Sequence, residues 1–126
     1  MSAPTREMRF FGAAGAAGLL LGVALGAFAA HGLTGRISSG MLGVFETGVR
    51  YQLYHSLALL AVAFFAERGK LFRYAGLFYI FGIVLFSFSL YALALTGLDG
   101  LGYITPVGGI SFLAGHFFLL LGFLRI

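Results

Sequence analysis

The residues equipped for chemistry in this 126-residue chain are few: His31, His55 and His116, Gln52, Tyr91, and the serines Ser56, Ser87, Ser89 and Ser111. Imidazoles ligate metals and move protons, and serines attack carbonyls when a base adjoins them. Spacing tests each possibility. No His-Glu-x-x-His or Glu-x-x-His pattern and no closely paired histidines occur, and the chain has no cysteine, so no metal centre is expected. A bis-histidine haem needs two histidines at one depth, and the depths derived below differ for His55 and His116. No serine sits in a nucleophile elbow or beside a recognisable base. No catalytic residue is assigned, and the expectation is a protein that is not an enzyme and needs no cofactor.

The elements that must hold these residues are set by composition. Hydrophobic residues make up 60% of the chain and charged residues 10%, where a soluble domain is about a quarter charged. So small a sphere cannot hide that much apolar surface. An independently soluble enzyme or nucleic-acid-binding domain is excluded. A membrane-crossing helix needs about 20 apolar residues, and such runs lie at about 10–30, 47–66, 74–95 and 104–124. They are continuous rather than alternating, which argues against barrel strands. The expected fold is all-α: a polytopic membrane protein, one integral domain over 1–126, built as a four-transmembrane-helix bundle. Thr105-Pro106 reads as a hydroxyl cap followed by a proline at the first helical position.

Charge sets the expected orientation. One side carries Arg6, Arg9, Arg68, Lys70, Arg73 and Arg125, and the other only Arg36 and Arg50. Basic loops stay in the cytoplasm, so both termini are expected there. Topology and anionic headgroups absorb the net charge of +4, and no nucleic acid is needed. Residues 1–30 also look like a leader ending at Ala27-Phe28-Ala29. Their uncharged run is longer than the usual signal core of about 7–15 residues, so they are read as the first span.

Polar groups at membrane depth are costly and mark candidate sites. At 1.5 Å per residue, His55, Ser89 and Ser111 fall about 7–10 Å below the non-cytoplasmic interface, Ser87 about 12 Å, and His116 near the midplane. The candidate pocket is a polar shelf of His31, Gln52, His55, Ser87, Ser89, Tyr91 and Ser111. The plainer reading of the same residues, hydrogen bonding between helices, is preferred. Ser87 and Ser89 also suit bonds to carbonyls one turn earlier. Glu46 and Arg50, four apart, are expected to pair along one helix face. Gly15, Gly18, Gly22 and Gly26 line one face of the first helix, and Gly108 and Gly115 do so on the fourth. Such faces allow close backbone approach, with at least one expected to pack inside the bundle.

Four segments together are distinctive: Ala27-Phe28-Ala29-Ala30-His31-Gly32-Leu33; Phe45-Glu46-Thr47-Gly48-Val49-Arg50-Tyr51-Gln52 with His55; Leu85-Phe86-Ser87-Phe88-Ser89-Leu90-Tyr91; and Thr105-Pro106-Val107-Gly108-Gly109 through Gly115. In order and spacing the chain resembles domain-of-unknown-function family 423, the YgdD-type small inner-membrane proteins. The resemblance implies four spans in a bacterial inner membrane and carries over no reaction and no catalytic residue. The family pattern has glycine where this chain has Ala29 and Phe88, and tryptophan near His116. That sets His116 aside and leaves His31, Gln52, His55, Ser87 and Ser89 as the stronger candidates. The expected role is a non-enzymatic accessory, assembly or structural protein embedded in the lipid bilayer, as a homo-oligomer or within a larger membrane complex. The alternative is a small-ligand, lipid or ion binding or transport module built on the polar shelf.

Overall fold

A computed structural model describes residues 3–126. Four helices are long and apolar enough to cross a membrane: α1 (Arg6–Leu33), α2 (Ser39–Arg68), α3 (Lys70–Thr96) and α4 (Asp99–Leu124). Each outruns the apolar run that marks it, because short polar segments at the ends join the helix. The Thr5 hydroxyl caps α1 by accepting from the Met8 amide at 3.3 Å, and Ser38 caps α2 by accepting from Met41 at 3.1 Å. Gly97, at φ 71°, closes α3 in the left-handed conformation that glycine adopts without strain.

At the start of α4 the structure corrects the expected cap. The helix begins a turn early, at Asp99, so Thr105 lies inside it and makes no capping bond. Its hydroxyl instead meets the Ser89 hydroxyl of α3 at 2.6 Å. Pro106 does sit in the first regular turn, where its missing N–H is no loss.

The helices pack as two hairpins. α1 lies along α2 and α4 along α3, while α2 and α3, joined by Gly69 alone, form the centre. The glycine faces make these seams. A methyl group on Gly15 would stand 2.8 Å from the Ser56 carbonyl oxygen, and one on Gly22 2.6 Å from Leu53. On α4, Gly108 lies against the Phe86 backbone of α3 and Gly115 against the Tyr79 ring. Without a hydrophobic drive between helices in lipid, such contact is what holds them. Both stripes are therefore spent within the chain.

Two apolar clusters fill the interior. Phe11, Leu59, Val62, Ala75, Tyr79 and Phe112 pack toward the end that carries the termini. Ala29, Leu33, Phe45, Val49, Tyr91 and Ala94 pack toward the opposite end. The outward faces are apolar too, with Leu20, Phe64 and Leu113 about seven-tenths exposed. That surface suits hydrocarbon.

Candidate functional site

Two of the buried polar side chains, Gln52 and His55, anchor knots that each tie three helices. In the first, the Gln52 side-chain amide of α2 donates to the Gly18 carbonyl of α1 at 2.9 Å, and the Tyr91 hydroxyl of α3 donates to Gln52 Oε1 at 2.7 Å. In the second, His55 of α2 meets His116 of α4 Nε2 to Nε2 at 3.0 Å. Behind them, His55 Nδ1 lies 2.7 Å from the Tyr51 carbonyl, and His116 Nδ1 lies 2.7 Å from the Tyr79 hydroxyl of α3.

The hydrogens of the second knot follow from its geometry. A carbonyl only accepts, so His55 Nδ1 carries the proton and donates to Tyr51. Neutral His55 then offers a lone pair at Nε2, and His116 must donate to it from its own Nε2. That leaves His116 Nδ1 as an acceptor for the Tyr79 hydroxyl. One arrangement satisfies every neutral group: Tyr79 to His116 to His55 to the Tyr51 carbonyl. The Phe112 ring lies flat on His55, centroids 3.5 Å apart and planes 7° from parallel, which fixes the imidazole's tilt.

His116 stands on the wall of a cleft of about 520 Å³ between α2 and α4. This volume falls in the range of small-molecule sites. Tyr51, Tyr54, His55, Phe86, Phe112 and Leu113 line it with Pro106, Gly109 and Ile110, and no charged residue does. Ile110, Leu113 and Tyr54 are more than half exposed, so the cleft opens sideways through the bilayer-facing surface. His116 is itself exposed. Both its nitrogens turn inward to partners, which leaves the carbon edge of the ring toward the opening.

The expected single shelf is therefore divided. His55 lines the cleft, and Gln52 and Tyr91 belong to the other knot. Ser87, in a wide π-type turn of α3, donates to the Gly48 carbonyl at 2.7 Å and joins α3 to α2. Ser89 donates to the Phe86 carbonyl at 2.9 Å, one turn earlier, and meets Thr105. Ser111 turns to the far side of α4 and donates to the Phe78 carbonyl at 2.7 Å.

Three expectations need correction. His31 is exposed in the last turn of α1, its side chain makes no hydrogen bond among the described residues, and it does not line the cleft. Glu46 and Arg50 do not pair. Both are exposed, and Arg50 Nη2 donates instead to the Thr47 hydroxyl at 3.0 Å, since two hydrated charges gain little from meeting. The one ion pair among the described residues joins Arg73 to Glu7 at 3.9 Å. His116, set aside on sequence, is at the centre of the site. Counted from the observed helix starts, His55 lies 16 residues into α2 and His116 17 residues into α4, about 24–26 Å along each, so the two meet. Tyr79 was missed altogether. Its signal was available: nine residues into α3, it lies as deep, at about 13 Å, as His116 does from the end of α4.

Residues 25–109 match the model of the protein family described as protein of unknown function, DUF423. The chain belongs to that family. The DUF423 match takes in Gln52, His55, Tyr79 and Tyr91 and ends before His116. Similar proteins include the UPF0382 membrane protein YwdK of Bacillus subtilis, 48% identical over 84% of this chain and 89% of that protein. The UPF0382 membrane protein SSP2132 of Staphylococcus saprophyticus is 41% identical over 94% of this chain and all of its own length. The UPF0382 inner membrane protein YgdD of Escherichia coli K12 is 44% identical over 82% of this chain and 81% of its own. No solved structure matches significantly. This DUF423 chain is a multi-pass inner-membrane protein of four helices, in a family without an assigned molecular function.

Proposed function

We propose that this protein is a non-enzymatic binding module of the inner membrane, taking an uncharged, membrane-soluble molecule sideways from the bilayer into the cleft between α2 and α4. One observation carries the reading. In an outward surface made mostly of aliphatic and phenyl side chains, the wall of this cleft carries the rings of Tyr51, Tyr54, His55 and His116. Concave, mostly apolar recesses with a few polar groups are the usual form of small-molecule sites. The charge-free lining supports a neutral guest over an ion. The excess of arginine and lysine at the end holding the termini supports a cytoplasmic location for both. Fusions of alkaline phosphatase to the C-terminus should then be inactive.

Gly109 provides the test. A methyl group there would stand 3.8 Å from the Phe86 ring, an ordinary contact with room beyond it, so Gly109→Leu should fill the cleft without forcing the helices apart. Native mass spectrometry of the purified protein should show a bound small molecule that Gly109→Leu loses while its melting temperature holds. If wild type and variant retain the same species, or none, binding in the cleft is refuted. The accessory or assembly role then takes its place.

A further inference from the structure

We propose that the seam between α1 and α3 binds one acidic phospholipid, its headgroup phosphate between Arg6 and Arg73 and one acyl chain running down the seam. The site lies apart from the α2/α4 cleft and does not rest on that reading. It begins where both helices begin. Arg6 opens α1 and Arg73 is the fourth residue of α3, so both guanidiniums stand at the ends of their spans, the level of the headgroups. There a recess of about 330 Å³ lies between the helices, lined by Arg6, Glu7, Phe10, Phe11, Arg73 and Leu77. Its floor is firm: the buried Phe11 ring sits on Gly76, where even a methyl group would collide with it.

The charge of the recess fits an anion. Two arginines against one glutamate leave the lining with one uncompensated positive charge. Arg73 holds Glu7 only at 3.9 Å, and Arg6 is in no ion pair among the described residues. A guanidinium offers five N–H donors in a fork that matches phosphate oxygens. A lipid with a single net negative charge neutralises this lining, whereas a zwitterionic one brings its own ammonium to it.

The shape fits a chain attached to that anion. α1 and α3 scarcely touch along their length. One turn below the first recess the seam reopens as a slot of about 170 Å³, with Ala14 and Ala17 of α1 on one side and Ile80 and Val84 of α3 on the other. Ala17 and Val84 are both exposed, and each lies 11 residues below the arginine of its helix. That is about 16 Å, roughly the depth of one leaflet's hydrocarbon. So small a slot admits a hydrocarbon chain and not a second helix about 10 Å across. A free phosphate would leave it empty.

Native mass spectrometry of the delipidated protein in detergent, titrated with palmitoyl-oleoyl phosphatidylglycerol, tests the site. One lipid should bind ahead of all others. It should be preferred at least about fivefold over the matching phosphatidylethanolamine, the worth of one arginine at a membrane surface. Arg6→Gln should weaken binding by the same factor, and Ala17→Phe, which blocks the slot, by at least as much. Arg125→Gln, at the same end of the bundle but outside the recess, should leave it unchanged, and excess glycerol phosphate should not compete. Equal binding of the two lipids, or an equal loss in Arg6→Gln and Arg125→Gln, overturns the proposal and leaves only general surface charge. Competition by glycerol phosphate overturns the lipid in favour of a free phosphate. If Ala17→Phe does not fold, Arg6→Gln, which alters an exposed side chain, decides by comparison with Arg125→Gln.

Discussion

His55 and His116 meet Nε2 to Nε2 at 3.0 Å across two helices whose backbones otherwise stay apart. The contact works only if one ring donates and the other accepts. The Tyr51 carbonyl and the Tyr79 hydroxyl make that choice from opposite ends.

Replacing His116 by Phe strands two partners at once, the His55 lone pair and the Tyr79 hydroxyl. His116→Phe should lower stability by about 1–3 kcal/mol. The double variant His55→Phe/His116→Phe should lose less than the sum of the singles, with a coupling of about 0.5–3 kcal/mol. Equilibrium unfolding in mixed micelles measures all three. Simple additivity would show that the rings do not depend on each other.

Glycine positions that differ only in what faces them should separate cleanly. Gly15→Ala places a methyl 2.8 Å from a backbone oxygen, and Gly108→Ala drives one into the Phe86 backbone. Each should cost about 1–3 kcal/mol, as overpacking does. Gly12→Ala meets only the Ala63 methyl at 3.7 Å and should be neutral or gain up to about 1 kcal/mol from helix propensity. Melting temperatures of the three variants give the ranking.

Ser56 is fully buried, and its hydroxyl has no partner among the described residues. Ser56→Ala removes a desolvated group that returns nothing, so it should be neutral or stabilise by up to about 1 kcal/mol. Ser87→Ala breaks the bond to the Gly48 carbonyl and should destabilise by about 1 kcal/mol. An equal loss in both would mean that Ser56 has a partner the geometry does not reveal.

In the first knot Gln52 serves two helices and Tyr91 one. Gln52→Leu severs the ties to both Gly18 and Tyr91, whereas Tyr91→Phe leaves the tie to α1 in place. The glutamine variant should show the greater loss of protease resistance in α1, read by limited proteolysis in membranes. Equal cleavage in the two variants would count against a structural role for the Gly18 bond.

Sequence made the four spans legible because an uninterrupted apolar run leaves little choice of structure. The glycine faces were legible as packing surfaces for the same kind of reason: 3.6-residue periodicity is a local property. Which surfaces they would meet was not, since Gly15 finds Ser56 and Gly108 finds Phe86 across distances in sequence that no local pattern encodes. The site was half legible. Gln52, His55 and Tyr91 stood out as polar residues in apolar runs. Their sorting into two knots depended on where α2 begins, and the stretch 39–46, broken by Gly40 and Gly43 and ended by Glu46, fell outside the apolar run that marks the span. His31 and the Glu46–Arg50 pair misled because sequence spacing carries no information about hydration at an exposed helix end.

The two seams and the two knots divide the labour of assembly. Each glycine seam lies within one hairpin, so α1 with α2, and α3 with α4, can close as soon as each pair has entered the membrane. The meeting of the hairpins closes the two apolar clusters between α2 and α3 and adds a polar set: Gln52 with Tyr91, Ser87 with Gly48, and the histidine of α2 with its partner on α4. These bonds form a latch between two prefabricated halves. Because a latch can be rejoined, fragments 1–69 and 70–126 made separately in one cell should find each other and restore the cleft.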